Sequence, residues 1–141
     1  MTVVSDSSPI VILTKLGSFD LLNRLFPCVY ISAEVHHEVV VAGAGLPGAA
    51  EVSNAKWIEV KQLQNRASLL SLVLLDDYKA RKLAKAEGLK ILGSVGLLEA
   101  FYARGYLTDL RACFRRLMTH NVYIDQRLLN RRLRTLGLPP L

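Results

Sequence analysis

The sequence predicts an α/β fold built on a mainly parallel sheet. Three observations carry that reading. Short apolar, β-branched runs recur along the chain and alternate with segments of helical periodicity. Glycine, proline and serine fall at the joints between them. Two of the apolar runs, Val3-Val4-Ser5 and Leu72-Val73-Leu74-Leu75, end in aspartate, at Asp6 and at Asp76-Asp77. Open parallel sheets bind ligands outside the carboxyl ends of their strands, so these aspartates are the first candidates for a site.

Each element has a local reason. Thr2–Ser5 reads as a short buried strand. Pro9 suits the first turn of the following helix, and Gly17 suits its end. Ser18 caps a second helix, Phe19–Phe26. Cys28–Ile31 has the β-branched and aromatic content of a strand. Ser32 caps a helix from Ala33 to about Val41. Gly43–Gly48 reads as a loop. Trp57–Val60, extending towards Leu63, alternates as a strand does. Arg66–Ser71 reads as a short helix and Leu72–Leu75 as a strand. Asp77 opens the amphipathic helix Tyr78–Glu87, which Gly88 closes. Leu89–Leu92 is the next strand, and Ser94–Arg104 is a helix ending at Gly105. Two basic helices follow, Leu107–Met118 and Asp125–Leu136, and Pro139-Pro140 ends regular structure. One link is short. Between the strands at Trp57 and Leu72 there is little chain for a parallel crossover, which usually takes a dozen or more residues with a full helix.

The 141 residues predict one domain, 1–141, long enough to bury a core. Hydrophobic content of 51% against 21% charged excludes a disordered chain. No apolar run is long enough to span a bilayer, and the N-terminus lacks the basic region and cleavage site of a signal peptide. A cytoplasmic protein with no membrane association is therefore expected. Cys28 and Cys113 stand far apart in no metal spacing and read as reduced and structural.

The charge is unevenly placed. Residues 1–100 carry equal numbers of basic and acidic side chains, whereas residues 101–141 carry eight arginines against two aspartates, the whole surplus of +6. Arginine forks onto phosphate, so a polyanion such as RNA ranks slightly ahead of two competitors: a solvated basic surface, and a face for an acidic protein.

Among the carboxylates, Glu34 and Glu38 stand four apart on one helix, so one of them could reach Asp6 from a neighbouring element. Two or three carboxylates at one point hold a hard divalent cation, Mg²⁺ or Mn²⁺. The competing readings are solvent exposure for the glutamates and helix capping for Asp6 and Asp77. Each aspartate alone is a weak signal; together, on strand ends of one sheet, they are a stronger one. His36-His37 beside Glu38 does not make a zinc site, because adjacent helical residues point about 100° apart. Ser7 and Ser8 lack a histidine at nucleophile spacing, and the glycine loop at 43–48 lacks the Lys-Ser/Thr of a phosphate-binding loop.

Several stretches taken in order resemble a known family. They are Ser5-Asp6-Ser7-Ser8-Pro9-Ile10 with Lys15-Leu16-Gly17, Val29-Tyr30-Ile31-Ser32 with Val35-His36-His37-Glu38-Val39, and Gly43-Ala44-Gly45-Leu46-Pro47-Gly48. Trp57-Ile58-Glu59-Val60, Leu74-Leu75-Asp76-Asp77-Tyr78-Lys79-Ala80-Arg81 and Gly93-Ser94-Val95-Gly96-Leu97-Leu98 complete the set. Together they resemble the PIN-like domains of family DUF3368 over nearly the whole chain. The resemblance implies a three-layer PIN-like sandwich around a mainly parallel sheet, with an acidic pocket. It implies a Mg²⁺- or Mn²⁺-dependent ribonuclease, often the toxin of a toxin–antitoxin pair. RNA, an antitoxin-like protein and a second copy of the chain are the expected partners. By position it implies catalytic Asp6, Glu38 and Asp77, with Asp76 completing the metal set. Ser7, Ser8 and Ser94 would line the pocket, with Ser8 holding the Asp6 turn. Arg115, Arg116, Arg131 and Arg132 would attract RNA.

One departure stands out. Members of the family carry an acidic helix before the Leu-Leu-Asp-Asp strand. Here the chain passes from Leu69-Leu70-Ser71-Leu72 almost directly to Leu75-Asp76-Asp77, with about one crossover element absent. Either the protein has lost it or a segment is missing from this sequence. The second is slightly favoured, since removing a central crossover should wreck the core. A real loss points to the alternative function, a catalytically inactive module that binds nucleic acid or protein.

Overall fold

The computed structural model describes residues 2–62, 71–120 and 124–141. The chain divides into two compact units, residues 1–94 and 95–141.

The first unit holds a five-stranded, wholly parallel sheet. Its strands are β1 (Val3–Ser5), β2 (Val29–Ile31), β3 (Ile58–Val60), β4 (Leu72–Leu74) and β5 (Lys90–Leu92), in the order β3-β2-β1-β4-β5. Register is in step along β4, whose Leu72, Val73 and Leu74 face Val3, Val4 and Ser5 on one side and Lys90, Ile91 and Leu92 on the other. Between the strands run α1 (Ser7–Lys15), α2 (Phe19–Leu25), α3 (Ala33–His36), a π turn (His37–Val41), α4 (Ala49–Asn54) and α5 (Tyr78–Ala86). Ile10, Leu13, Leu22, Val29, Ile31 and Leu74 are fully buried. The β-branched strand residues and the apolar faces of the first two helices thus build the core together.

Two features depart from the sequence expectation. The helix begun by Ser32 does not run evenly to Val41. Ser32 Oγ accepts from Val35 N at 3.1 Å, but from His37 the ladder opens to π geometry, with Ala42 N bonded to the His37 carbonyl at 2.8 Å. Residues 49–54, given no element by the sequence reading, form α4, which starts from Gly48 at φ 103° and is braced by Glu51 on the Gly48 amide. The helix expected over Arg66–Ser71 lies, but for Ser71, outside the described residues.

The short link has a clear outcome. Eleven residues separate Val60 from Leu72, yet β4 pairs with β1 and β5 along its full length. The expectation that this shortening would wreck the core is therefore corrected: the five-strand sheet stands. Its parallel pairings need only the strand residues themselves, and those are all present.

The second unit carries α6 from Val95, α7 (Leu110–Thr119) and α8 (Gln126–Thr135). Leu110, Phe114 and Leu117 of α7 and Leu129 and Leu133 of α8 are buried, at helical spacing. Arg132 forks onto Glu99 with bonds of 3.0 and 2.8 Å, which hold its guanidinium more firmly protonated. Burial pushes the Cys113 thiol up from its ordinary range, and both cysteines are free. Among the described residues no helix is long and apolar enough to cross a membrane.

Candidate functional site

The strand order reverses its direction of growth at β1. The chain builds outward from β1 through β2 to β3, then returns to place β4 on the other side of β1. The crevice outside the carboxyl ends of β1 and β4 is therefore the switch point of the sheet, where such folds bind ligands. Asp6 leaves β1 there, with its amide on the Leu74 carbonyl at 3.0 Å, and Asp76 and Asp77 leave β4 there.

Asp6 sits at the N-cap position of α1 in extended conformation (φ −78°, ψ 173°), yet its side chain makes no capping bond. The reason is in the sequence. A capping aspartate accepts from the amide two or three residues on, and the third residue here is Pro9, which has no N–H. The capping reading of Asp6 is thus corrected. Its half-buried carboxylate stays uncommitted at the crevice. The turn is held instead by Ser5, whose Oγ donates to the Asp6 carbonyl at 2.8 Å; Ser8, expected in that role, is exposed.

Glu38 arrives from the π turn. Ser7 Oγ donates to Glu38 Oε2 at 3.0 Å, across 31 residues of chain, and so ties the glutamate to the residue beside Asp6. Glu34, on the preceding turn, is exposed. Gly43 lets the chain fold back over the turn that carries Glu38. A Cβ there would lie 2.6 Å from the Val39 carbonyl oxygen and 2.9 Å from that of Glu38.

The two aspartates after β4 are used differently. Asp77 Oδ2 accepts from Ala80 N at 2.9 Å and caps α5, and the residue is exposed. Both oxygens of Asp76 are taken by buried Ser94, Oδ1 by its amide at 2.7 Å and Oδ2 by its hydroxyl at 2.6 Å. Beside them Arg81 Nη1 donates to the Leu75 carbonyl at 2.9 Å. Gly93 makes room for this group: a Cβ there would stand 2.6 Å from Arg81 Nη1 and 2.9 Å from Asp76 Oδ1.

The structure thus brings Asp6, Ser7 and Glu38 together, and separately Asp76 with Ser94. Among the described residues no group of three or more histidine, cysteine, aspartate or glutamate side chains is placed to hold a metal ion. The donor chemistry still fits a hard cation. The Asp6 carboxylate and the Glu38 Oε1 are oxygen ligands outside the hydrogen bonds just described. Sequence reasoning missed Ser5 and Arg81. The serine that precedes Asp6 was a visible signal for the first; the second is a spatial neighbour that no local pattern announces.

In the second unit Arg115 and Arg131 are exposed, as is Arg116, while Arg132 is held by Glu99. Arg127, Arg131 and Arg134 recur at helical spacing on the exposed side of α8, with Arg127 paired to Asp125 at 3.2 Å.

Comparison with known proteins returned one family. The model of DUF3368, described as a PIN domain, matches residues 2–72 and 67–138, two segments that meet at the short link before β4. No curated protein and no solved structure matched the chain.

Proposed function

The chain belongs to the DUF3368 family of PIN domains, and from that membership we propose that it is a divalent-metal-dependent ribonuclease. The fold is of the nuclease type. The observation that carries the reading is the uncommitted carboxylate of Asp6 at the switch point of the sheet, kept free of its helix by Pro9. Asp6 and Glu38 would hold Mg²⁺ or Mn²⁺, with Ser7 fixing the glutamate's orientation. Such a cation supplies an activated water and stabilises charge on the phosphodiester. Asp76 acts through Ser94, and Asp77 through the α5 cap, as positioning residues. The exposed arginines of α7 and α8 supply the attraction for RNA. A toxin role with an antitoxin-like partner, and a homo-oligomeric state, belong to the same proposal.

The test is cleavage of a defined single-stranded RNA with Mn²⁺ and with chelator, alongside Mn²⁺ titration, for the wild type and Asp6→Asn. Mn²⁺-dependent cutting that Asp6→Asn removes supports the enzyme. Equal rates in the two proteins would overturn the mechanism.

A second reading has its own observation. With Asp77 capping α5, Asp76 saturated by Ser94 and the link before β4 short, the described carboxylates stop at two. That favours a binding module without catalysis. Salt-sensitive RNA binding with no Mn²⁺ affinity would establish it.

A further inference from the structure

A cleft of about 250 Å³ opens on the far side of the Ser7–Glu38 bond. One wall is a single face of α1, on which Ser7, Val11 and Lys15 recur every four residues. From Ser7 to Lys15 that face runs about 12 Å at the α-helical rise. The facing wall includes Glu38 and the Leu46-Pro47 pair, and Leu46 is 64% exposed.

We propose that this cleft receives one unpaired base of the RNA strand, the base next to the phosphodiester held at Asp6; the assignment rests on the ribonuclease reading. Three properties of the cleft point to it. Ser7 and Glu38 belong both to the cleft and to the carboxylate edge, so its occupant is contiguous with whatever lies at Asp6. Its volume falls below the roughly 300–1,000 Å³ of sites that take drug-sized ligands, so it admits one ring-sized group and excludes a helix face or a duplex. Val11, Leu46 and Pro47 offer apolar surface to the face of a base, and Lys15 places a cation at the end away from Asp6, where the next phosphate of the strand would lie. A base on its sugar and phosphate is the ligand that meets an apolar wall and a cation together. A peptide side chain has no reason to do both.

The test uses adenosine and cytidine monophosphate as probes, titrated by NMR into the full chain, with Mn²⁺ affinity measured separately. The variants are Val11→Phe, which fills the cleft, and Leu46→Asp, on an exposed side chain whose change spares the core. Both should weaken mononucleotide binding by about tenfold, within the range for loss of a stacked base, and leave Mn²⁺ affinity unchanged. Lys15→Glu should weaken it less. Wild-type mononucleotide affinity in Leu46→Asp, or no binding by the wild type at millimolar nucleotide, overturns the proposal. Mononucleotide binding that the variants lose, without any Mn²⁺-dependent cleavage, keeps the base site and removes the ribonuclease. Mn²⁺-dependent cleavage with cut sites indifferent to both variants removes the base site alone and leaves the cleft to a protein partner.

Discussion

Asp6 and Asp77 look alike and behave oppositely. Each follows a buried parallel strand, and each occupies the N-cap position of the next helix. Three residues beyond Asp77 stands Ala80, whose amide donates to the carboxylate at 2.9 Å. Three residues beyond Asp6 stands Pro9, which has no amide to give. One carboxylate is spent on its helix and the other is left at the crevice. Between them Asp76 shows a third fate, with both oxygens fastened to Ser94. The lesson is that the partner a carboxylate is offered, and not its place after a strand, decides whether it can serve chemistry.

The comparison breaks most sharply at Asp6. Asp6→Asn should bring RNA cleavage to background and remove Mn²⁺ binding, with the melting temperature little changed, because no described bond of that side chain is lost. A large fall in stability without loss of cleavage would reverse the assignment. Asp76→Ala should instead unfold readily. Two charge-assisted bonds to a buried serine disappear, and the expected loss is about 3 kcal/mol in a denaturant titration. A midpoint within error of wild type would show that Ser94 finds another partner.

Asp77→Ala tests the ordinary member of the pair. Loss of its cap should cost about 1 kcal/mol, with Mn²⁺ affinity kept. A collapse of metal affinity would return Asp77 to the metal set. The smallest effect is the most specific. Pro9→Ala restores an amide that Asp6 can cap, and Mn²⁺ affinity should fall by up to about fivefold, the equivalent of one cap bond near ~1 kcal/mol. Unchanged affinity would mean that the proline is not what frees the carboxylate.

Much of this was legible along the chain. The five strands stand out as β-branched or apolar runs, and Ser32, Asp77, Gly17 and Gly88 mark helix ends through local chemistry. The freedom of Asp6 was written at Pro9, three residues away. The π turn was not visible, because a helical pattern of period 3.6 does not reveal a single added residue over one turn. α4 was hidden by its six-residue length and by a start at a left-handed glycine. The grip of Ser94 on Asp76 spans 18 residues and arises only when β4 and β5 pair. Arg132 reads as one basic residue among many until Glu99 of the same unit takes it out of the exposed set.

The π turn also makes chain length itself a control on the site. It holds one residue more than an α-helical turn, which advances everything after it by about 100°. Deleting Ala42 would bring Ala44 to the place Gly43 now fills, and a methyl group would press against the Glu38 and Val39 carbonyls. No charge would change and no apolar core residue would be lost, yet the phase of the turn under Glu38 would shift. Insertions and deletions of a single residue between His37 and Gly43 are therefore the sequence changes to which this glutamate is least indifferent.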